Sequence, residues 1–213
     1  MLKVHHLNNS RSQRILWLLE ELGAPYEIVH YQRMSPIPLA PPELKAVHPL
    51  GKSPVLTDGD VTIAESGAIV EYILDKYGKG RLRPAAGSHD HIKYIEWMHY
   101  AEGSAMLPLM MFLYLGFLGD AGAMLKPRID SEIALNLAYI SDGLGGRDYL
   151  VGRDLTGADI QIVFVLEAAD ASGLLKDYPA LKKYLGAMQA RPAYKRAIEK
   201  GGPYDLGANR RRS

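Results

Sequence analysis

Hydrophobic and polar positions change period twice within the first thirty residues. Leu2, Val4 and His6 alternate with Lys3 and His5, a period of two that predicts a short strand, and the polar run Asn8 to Ser10 ends it. Ile15, Leu16, Leu18, Leu19 and Leu22 then recur at helical spacing, and Gly23 supplies a left-handed stop. Ser10 and Gln13 stand at the spacing of a capping box, in which the serine oxygen accepts from a backbone N–H and the glutamine reaches back. Past Gly23-Ala24-Pro25, Tyr26 to Tyr31 is a second strand, so the chain opens with a βαβ unit.

The stretch from Pro36 to Pro54 holds six of the 13 prolines and predicts an extended loop, with at most one short helix near Glu43 to Val47. Val55 to Thr57 and Val61 to Ile63 flank Asp58-Gly59-Asp60, which is hairpin chemistry. Ser66 to Tyr77 is helical, with Ile69, Val70, Ile73 and Tyr77 inward before Gly78. Residues 81–87 have linker composition. Beyond them the pattern is helical throughout: Ser88 to Gly116, Ala123 to Leu144, Thr156 to Ala171, and Pro179 to Ala190 with a further turn to Lys200. Thr156 and Asp159 make a T-x-x-D cap, and Leu155 and Ile160 flank it as a hydrophobic staple. The fold class is α+β: a β-α-β, loop, β-β-α domain over residues 1–80, the linker, and an all-helical domain over 88–213.

Composition narrows the function. Of 213 residues 47% are hydrophobic, and Lys+Arg 25 against Asp+Glu 24 leaves a net charge of +1. That is a soluble globular profile with no electrostatic footprint for nucleic acid; the basic tail Arg210, Arg211, Arg212 reads as solvated. The absence of cysteine excludes a disulfide framework, a protein thiolate and Cys-ligated metal, so any thiol chemistry uses a borrowed thiol. His5 with His6 and His89 with His91 lack metal-ligand geometry, and no metal is expected. The glycines of Gly143 to Gly146 lack the strand-turn-helix setting of a dinucleotide loop, so no nucleotide is expected either. The N-terminus lacks the apolar core of a signal peptide, which predicts a cytoplasmic protein. The apolar run Ala105 to Gly119 is shorter than a membrane span and predicts a buried helix.

Four stretches stand in fixed order and spacing: LNNSRSQRILWLLEELGAPYE, HPLGKSPVL, AESGAIVEYI and LTGADI. Together with the α+β half and the helical half, they make the whole chain resemble the cytosolic glutathione S-transferase family, in its bacterial-type serine/asparagine-site branch. The resemblance implies a thioredoxin-like domain that binds glutathione as co-substrate, an all-helical bundle domain, a homodimer, and a detoxifying activity in which glutathione thiolate attacks a hydrophobic electrophile. It implies that Ser53–Pro54 is cis, although most X–Pro bonds are trans, and that the Ser53 backbone pairs with the cysteinyl part of glutathione by strand addition. Ser66 and the helix N-terminus behind it would take the γ-glutamyl carboxylate, and Glu65 the ammonium. Lys52 would meet the glycyl carboxylate; the family's polar helper from the long loop falls here on Pro38-Leu39-Ala40. The structural alternatives are a helix cap for Ser66 and a solvated loop lysine for Lys52.

The sulfur would lie at the start of the first helix. Lowering a thiol pKa from about 8.5 to about 6.5 takes roughly 2.7 kcal/mol of thiolate stabilisation. A hydroxyl hydrogen bond and a helix N-terminus are of that size. Ser10 is the first candidate. A shift of one residue brings Asn9 to the sulfur, as in relatives that favour peroxidase or disulfide reductase activity; Ser12 is third, and Arg11 adds positive charge. Tyr100, Met106, Met110, Met111, Phe112 and Tyr114 suit either core packing or the adaptable wall of an electrophile site. A non-catalytic binding or regulatory protein on the same fold is the alternative from outside enzymology.

Overall fold

A computed structural model describes residues 1–35, 37 and 39–207. Pro38 and the tail arginines Arg210, Arg211 and Arg212, singled out above, lie outside the described residues.

The first unit comprises Met1–Arg83 together with Met188–Asp205. Its strands are β1 (Lys3–Leu7), β2 (Glu27–Tyr31), β3 (Val55–Asp58) and β4 (Val61–Ala64), in the order β2-β1-β3-β4. β1 runs parallel to β2, with His5 opposite Val29, and antiparallel to β3, with His5 opposite Val55. β3 and β4 form the expected hairpin around Gly59, whose φ of 64° supplies the left-handed turn residue. Helix α1 (Ser12–Leu22) packs on β1, and α3 (Ser66–Tyr77) packs on β3, β4 and α1. The short α2 (Glu43–Val47) interrupts the proline-rich loop where the sequence allowed one helix. Ile69, Val70 and Ile73 turn inward as predicted, but Tyr77 stays half-buried and its hydroxyl donates to Asp58. A buried phenol seeks a hydrogen-bond partner, and the hairpin supplies one.

The sequence predicted a helix over Pro179 to Ala190 with a further turn to Lys200; that turn is a separate helix, α9 (Pro192–Gly201), which lies along α1 and clusters with the first unit. Ring packing and ion pairs hold it there. The Trp17 and Tyr194 rings meet edge to face at 5.4 Å, and Glu20 takes Arg196 at 2.8 Å together with Lys200. Within the predicted linker, Arg83 pairs with Glu71 at 3.0 Å and with Asp75.

The second unit comprises Pro84–Ala187 with residues from Leu206 onward. It contains α4 (His89–Tyr100), α5 (Met106–Leu118), α6 (Lys126–Leu144), α7 (Gly157–Asp170) and α8 (Pro179–Gln189). The predicted capping box at Thr156 and Asp159 forms, and Leu155 and Ile160 are both buried. Asp159 accepts from the Leu150 and Thr156 amides and from the Tyr184 hydroxyl at 2.7 Å. From Gly157 to Glu167 every residue of α7 is buried, Asp159, Gln161 and Glu167 included. Between α4 and α5 a π-turn spans Ala101–Ala105, just before Pro108, which has no N–H to give the preceding turn. The run His89–Gly122 is long and apolar enough by length and composition to cross a membrane, though no more than 28% of its most apolar window is buried. Its second half is therefore not the buried helix the sequence predicted: Met111, Tyr114, Phe117 and Leu118 are exposed.

Candidate active site

The chain leaves β1 at Leu7 and enters α1 at Ser12, and the turn between them collects the predicted sulfur residues. Arg33, just past β2, clamps it. Its Nε donates to the Asn8 carbonyl at 3.1 Å and its Nη2 to the Asn9 carbonyl at 2.8 Å, while its own amide reaches Asn8 Oδ1 at 2.8 Å. Asn9 is left-handed, with φ 52°, a conformation that asparagine tolerates better than most residues. Its side chain is half-exposed. Oδ1 accepts from the Asp205 amide at 2.7 Å, and Nδ2 has no partner among the described residues.

Ser10 differs from its neighbour. It is 6% exposed, and its Oγ lies 2.7 Å from Ser12 Oγ and 3.5 Å from Ser53 Oγ. The predicted capping box does not form here. Arg11 occupies the N-cap in helical conformation; Ser10 Oγ accepts from the Ser12 amide at 3.2 Å, and the buried Gln13 Nε2 has no partner. Gln13 is drawn toward α9, where its side chain fills the space that a Cβ on Gly201 would enter. Ser12 Oγ continues inward to His6 Nδ1 at 2.9 Å. Burial, the nearby His30 and, in the opposite sense, a hydrogen bond to the Gly201 backbone bring the His6 pKa down to about 4. His5, on the other face of β1, meets the Tyr31 hydroxyl at 3.0 Å and Thr57 at 3.3 Å.

The Ser53–Pro54 peptide is cis. Ser53 Oγ donates to the His5 carbonyl at 2.8 Å and accepts from the Leu7 amide at 3.2 Å, which ties this corner to β1. No backbone partner of the Ser53 N–H or C=O occurs among the described residues, so both remain available to an added strand. Glu65 carries φ 67° and is the N-cap residue of α3, with its side chain exposed. The helix cap expected of Ser66 is thus one residue displaced. Ser66 is buried, and its Oγ accepts from Nη1 of Arg14 at 3.2 Å. Lys52 is exposed and unpaired among the described residues, while Leu39 and Ala40 bring no polar side chain to the glycyl end. The first unit therefore gathers a turn (Asn9, Ser10, Arg11), an open backbone corner (Ser53) and a helix N-terminus (Glu65, Ser66) around its sheet.

Sequence reasoning missed Arg14, Arg33 and His6. Arg14, 2% exposed, stands among the apolar positions of α1, a breach of pattern that marks a special position. Arg33 acts across a loop and leaves no local trace.

The first 75 residues match the family model "Glutathione S-transferase, N-terminal domain", and residues 119–201 match "Glutathione S-transferase, C-terminal domain". Glutathione S-transferase 3 of Schizosaccharomyces pombe is 36% identical, over 94% of this chain and 88% of that protein. The chain belongs to the glutathione S-transferase family. Among solved structures, a glutathione S-transferase from Actinobacillus pleuropneumoniae superposes with a TM-score of 0.89 at 37% identity, covering 98% of this chain and 96% of its own. A sphingomonad glutathione S-transferase solved with glutathione superposes at 0.77 with 28% identity, covering 94% and 98%. The glutathione S-transferase fold and the family are therefore those the sequence implied, and the chain is a glutathione transferase. Among the described residues no cluster of three or more His, Asp or Glu side chains is arranged to hold a metal ion.

Proposed function

We propose that the chain binds glutathione on its first unit and delivers the sulfur to the Asn9–Ser10 turn, where the thiolate attacks a hydrophobic electrophile. The observation that carries this reading is the placement of the cis Ser53–Pro54 corner, with its unpaired backbone, in hydrogen-bond contact with Ser10. A tripeptide added as a strand at Ser53 presents its central residue next to that turn. Its γ-glutamyl carboxylate reaches the α3 N-terminus, where Ser66 and the Arg14 cation supply positive potential, and Glu65 takes the ammonium. Lys52 takes the glycyl carboxylate, and Arg11 adds charge near the sulfur.

Ser10 is the hydroxyl that touches the sulfur. One observation favours Asn9 as the donor to the thiolate: its Nδ2 is unengaged and half-exposed, whereas the Ser10 hydroxyl has Ser12 at 2.7 Å. That favours the peroxidase or disulfide reductase reading as the second activity. Met110, Phe112 and Tyr114, none of them fully buried, leave the second unit with adaptable apolar side chains of its own. Ile92, Ile95, Leu107 and Leu135 are exposed in the single chain, and such apolar exposure suits a homodimer, which this reading places in the cytoplasm.

Calorimetry with glutathione, followed by an ultraviolet titration of the bound thiolate in wild type, Ser10→Ala and Asn9→Ala, tests the site. Binding with a depressed thiol pKa that Asn9→Ala or Ser10→Ala changes is the expected result. Absence of binding would return the chain to the interaction-protein alternative.

A further inference from the structure

The chain returns to the sulfur turn after its last helix. α9 lies along α1, fixed by the Trp17 and Tyr194 rings and by the pairing of Glu20 with Arg196 and Lys200. It finishes at Gly201, where an added Cβ would meet Gln13, Leu16 and His6, so the helix ends against the base of the turn. Gly202, at φ 85°, takes the chain out of the helix. Four residues past Gly201, the Asp205 amide donates to Asn9 Oδ1 at 2.7 Å, a contact between residues 196 apart in sequence. Both ends of this bond belong to the first unit.

The sense of the bond is fixed by chemistry. A backbone N–H can only donate, so the Asn9 atom that faces Asp205 is the carbonyl oxygen. Turning the side-chain amide over would set two donors against each other at the same distance. Nδ2 is therefore the end left to a ligand. It carries two N–H donors and no acceptor, Asn9 is half-exposed, and Nδ2 has no partner among the described residues. The backbone of Asn9 is held as well, since its carbonyl accepts from Arg33 Nη2 at 2.8 Å and the preceding carbonyl of Asn8 accepts from Arg33 Nε at 3.1 Å. Two distant segments thus pin one residue, Arg33 its main chain and Asp205 its side chain. The Ser10 proton is less constrained, because Ser12 Oγ at 2.7 Å and Ser53 Oγ at 3.5 Å both lie within its reach.

Resting on the reading that brings the glutathione sulfur to this turn with Asn9 as its donor, we propose that Asp205 is a positioning residue. Its backbone amide locks the Asn9 side chain in the one orientation that offers Nδ2, and not the oxygen lone pairs, to the thiolate. The role belongs to the N–H of residue 205 and not to its carboxylate. Without that donor the Asn9 amide rotates between two orientations, one of which turns a partial negative charge toward the sulfur. The thiolate must then order the side chain itself, and part of the worth of its hydrogen bond is lost. The bond between Asp205 and Asn9 is open to water, so its strength comes from placement: α9, already packed on α1, holds the segment beside the turn before glutathione arrives.

The test is the ultraviolet titration of the bound glutathione thiol in the full chain as wild type, Asn9→Ala, Asp205→Ala and Asp205→Pro, with the last two also made in the Asn9→Ala background. Asp205→Ala and Asp205→Pro both lack the carboxylate, and only proline lacks the N–H, so the contrast between them isolates the donor. We expect about threefold less thiolate in Asp205→Pro than in Asp205→Ala at a pH below both thiol pKa values, the worth of ordering one side chain. The contrast should vanish in the Asn9→Ala background. A segment that serves packing alone gives no contrast between the two variants, or one that persists without Asn9, and either overturns the proposal. Should Asp205→Pro not fold, hydrogen exchange decides: the Asp205 amide should exchange about fivefold faster in Asn9→Ala than in wild type, and equal rates overturn the tie. If glutathione does not bind, or if Asn9→Ala leaves the thiol pKa at its wild-type value, the reading of the site fails and the proposal with it. A shift in Asn9→Ala while Asp205→Ala and Asp205→Pro titrate alike overturns only the role of Asp205.

Discussion

Glu65 sits at φ 67°, where a side chain with a Cβ is strained, at the entrance to α3. Such strain costs on the order of 1 kcal/mol and persists where the position serves something other than stability. Glu65→Gly should therefore raise the urea midpoint slightly while weakening glutathione binding measured by calorimetry; a variant that loses both would mean that the Glu65 side chain stabilises the fold. His6 makes a second prediction at this scale. Its ordinary pKa of 6.5 is brought down to about 4, so between those values the unfolded chain binds a proton that the folded chain refuses. Stability thus falls as pH falls through that window, by on the order of 3 kcal/mol in all. Urea midpoints followed from pH 7 to pH 4 should decline less steeply in His6→Phe than in wild type. Residues of this kind were only partly legible in the sequence. Ser53, Glu65 and Ser66 were named as candidates because they sit in contiguous motifs, whereas the contact of His6 with Ser12 joins β1 to the start of α1 and leaves no local pattern in the sequence.

Among the elements, those with strong local signals were read correctly. The βαβ opening, the Asp58-Gly59-Asp60 hairpin and the Thr156 cap each carry their instructions within a few residues, and each formed. Elements whose fate depends on a distant partner were misread. Gln13 has capping-box spacing but is pulled into the α1–α9 contact, and the last helix packs on α1 rather than with its sequence neighbours. Gly201 is the point of closest approach: a Cβ there would stand 2.7 Å from Gln13 Oε1 and 2.9 Å from Leu16 Cδ1. Gly201→Ala should cost about 1–3 kcal/mol through overpacking, against the small gain that alanine brings to an open helix position. Chemical denaturation of Gly201→Ala beside Gly186→Ala, a helical glycine with nothing within 4 Å of its Cβ position, separates the two effects. Equal midpoints would show that α9 can move aside freely.

At the scale of the molecule, the two units are not two stretches of chain. The glutathione-binding unit is completed by residues 188–205, so a chain ended at Ala187 loses the edge-to-face partner of Trp17 and the cations that neutralise Glu20. Glu20 is mostly buried, and burial alone would raise its pKa; hydrogen bonds from Lys200, Arg196 and Tyr26 hold it below the ordinary carboxylate value. Without α9 the carboxylate is left with Tyr26 alone in a largely apolar setting. The truncated chain should lose the near-ultraviolet signal of Trp17 and its calorimetric glutathione binding together. Retention of binding would show that the sheet and α1 suffice. The same arrangement bears on how the protein is made. During synthesis α1 to α3 emerge first, but α9 follows only after Pro84–Ala187 of the second unit, more than a hundred residues later. At about 5–20 residues per second, Trp17 and Glu20 wait on the order of ten seconds for their covering helix while the intervening residues are made. Through that interval the nascent first unit exposes the face that α9 will cover, so the arrival of α9, rather than the emergence of the sheet, sets when this unit becomes complete.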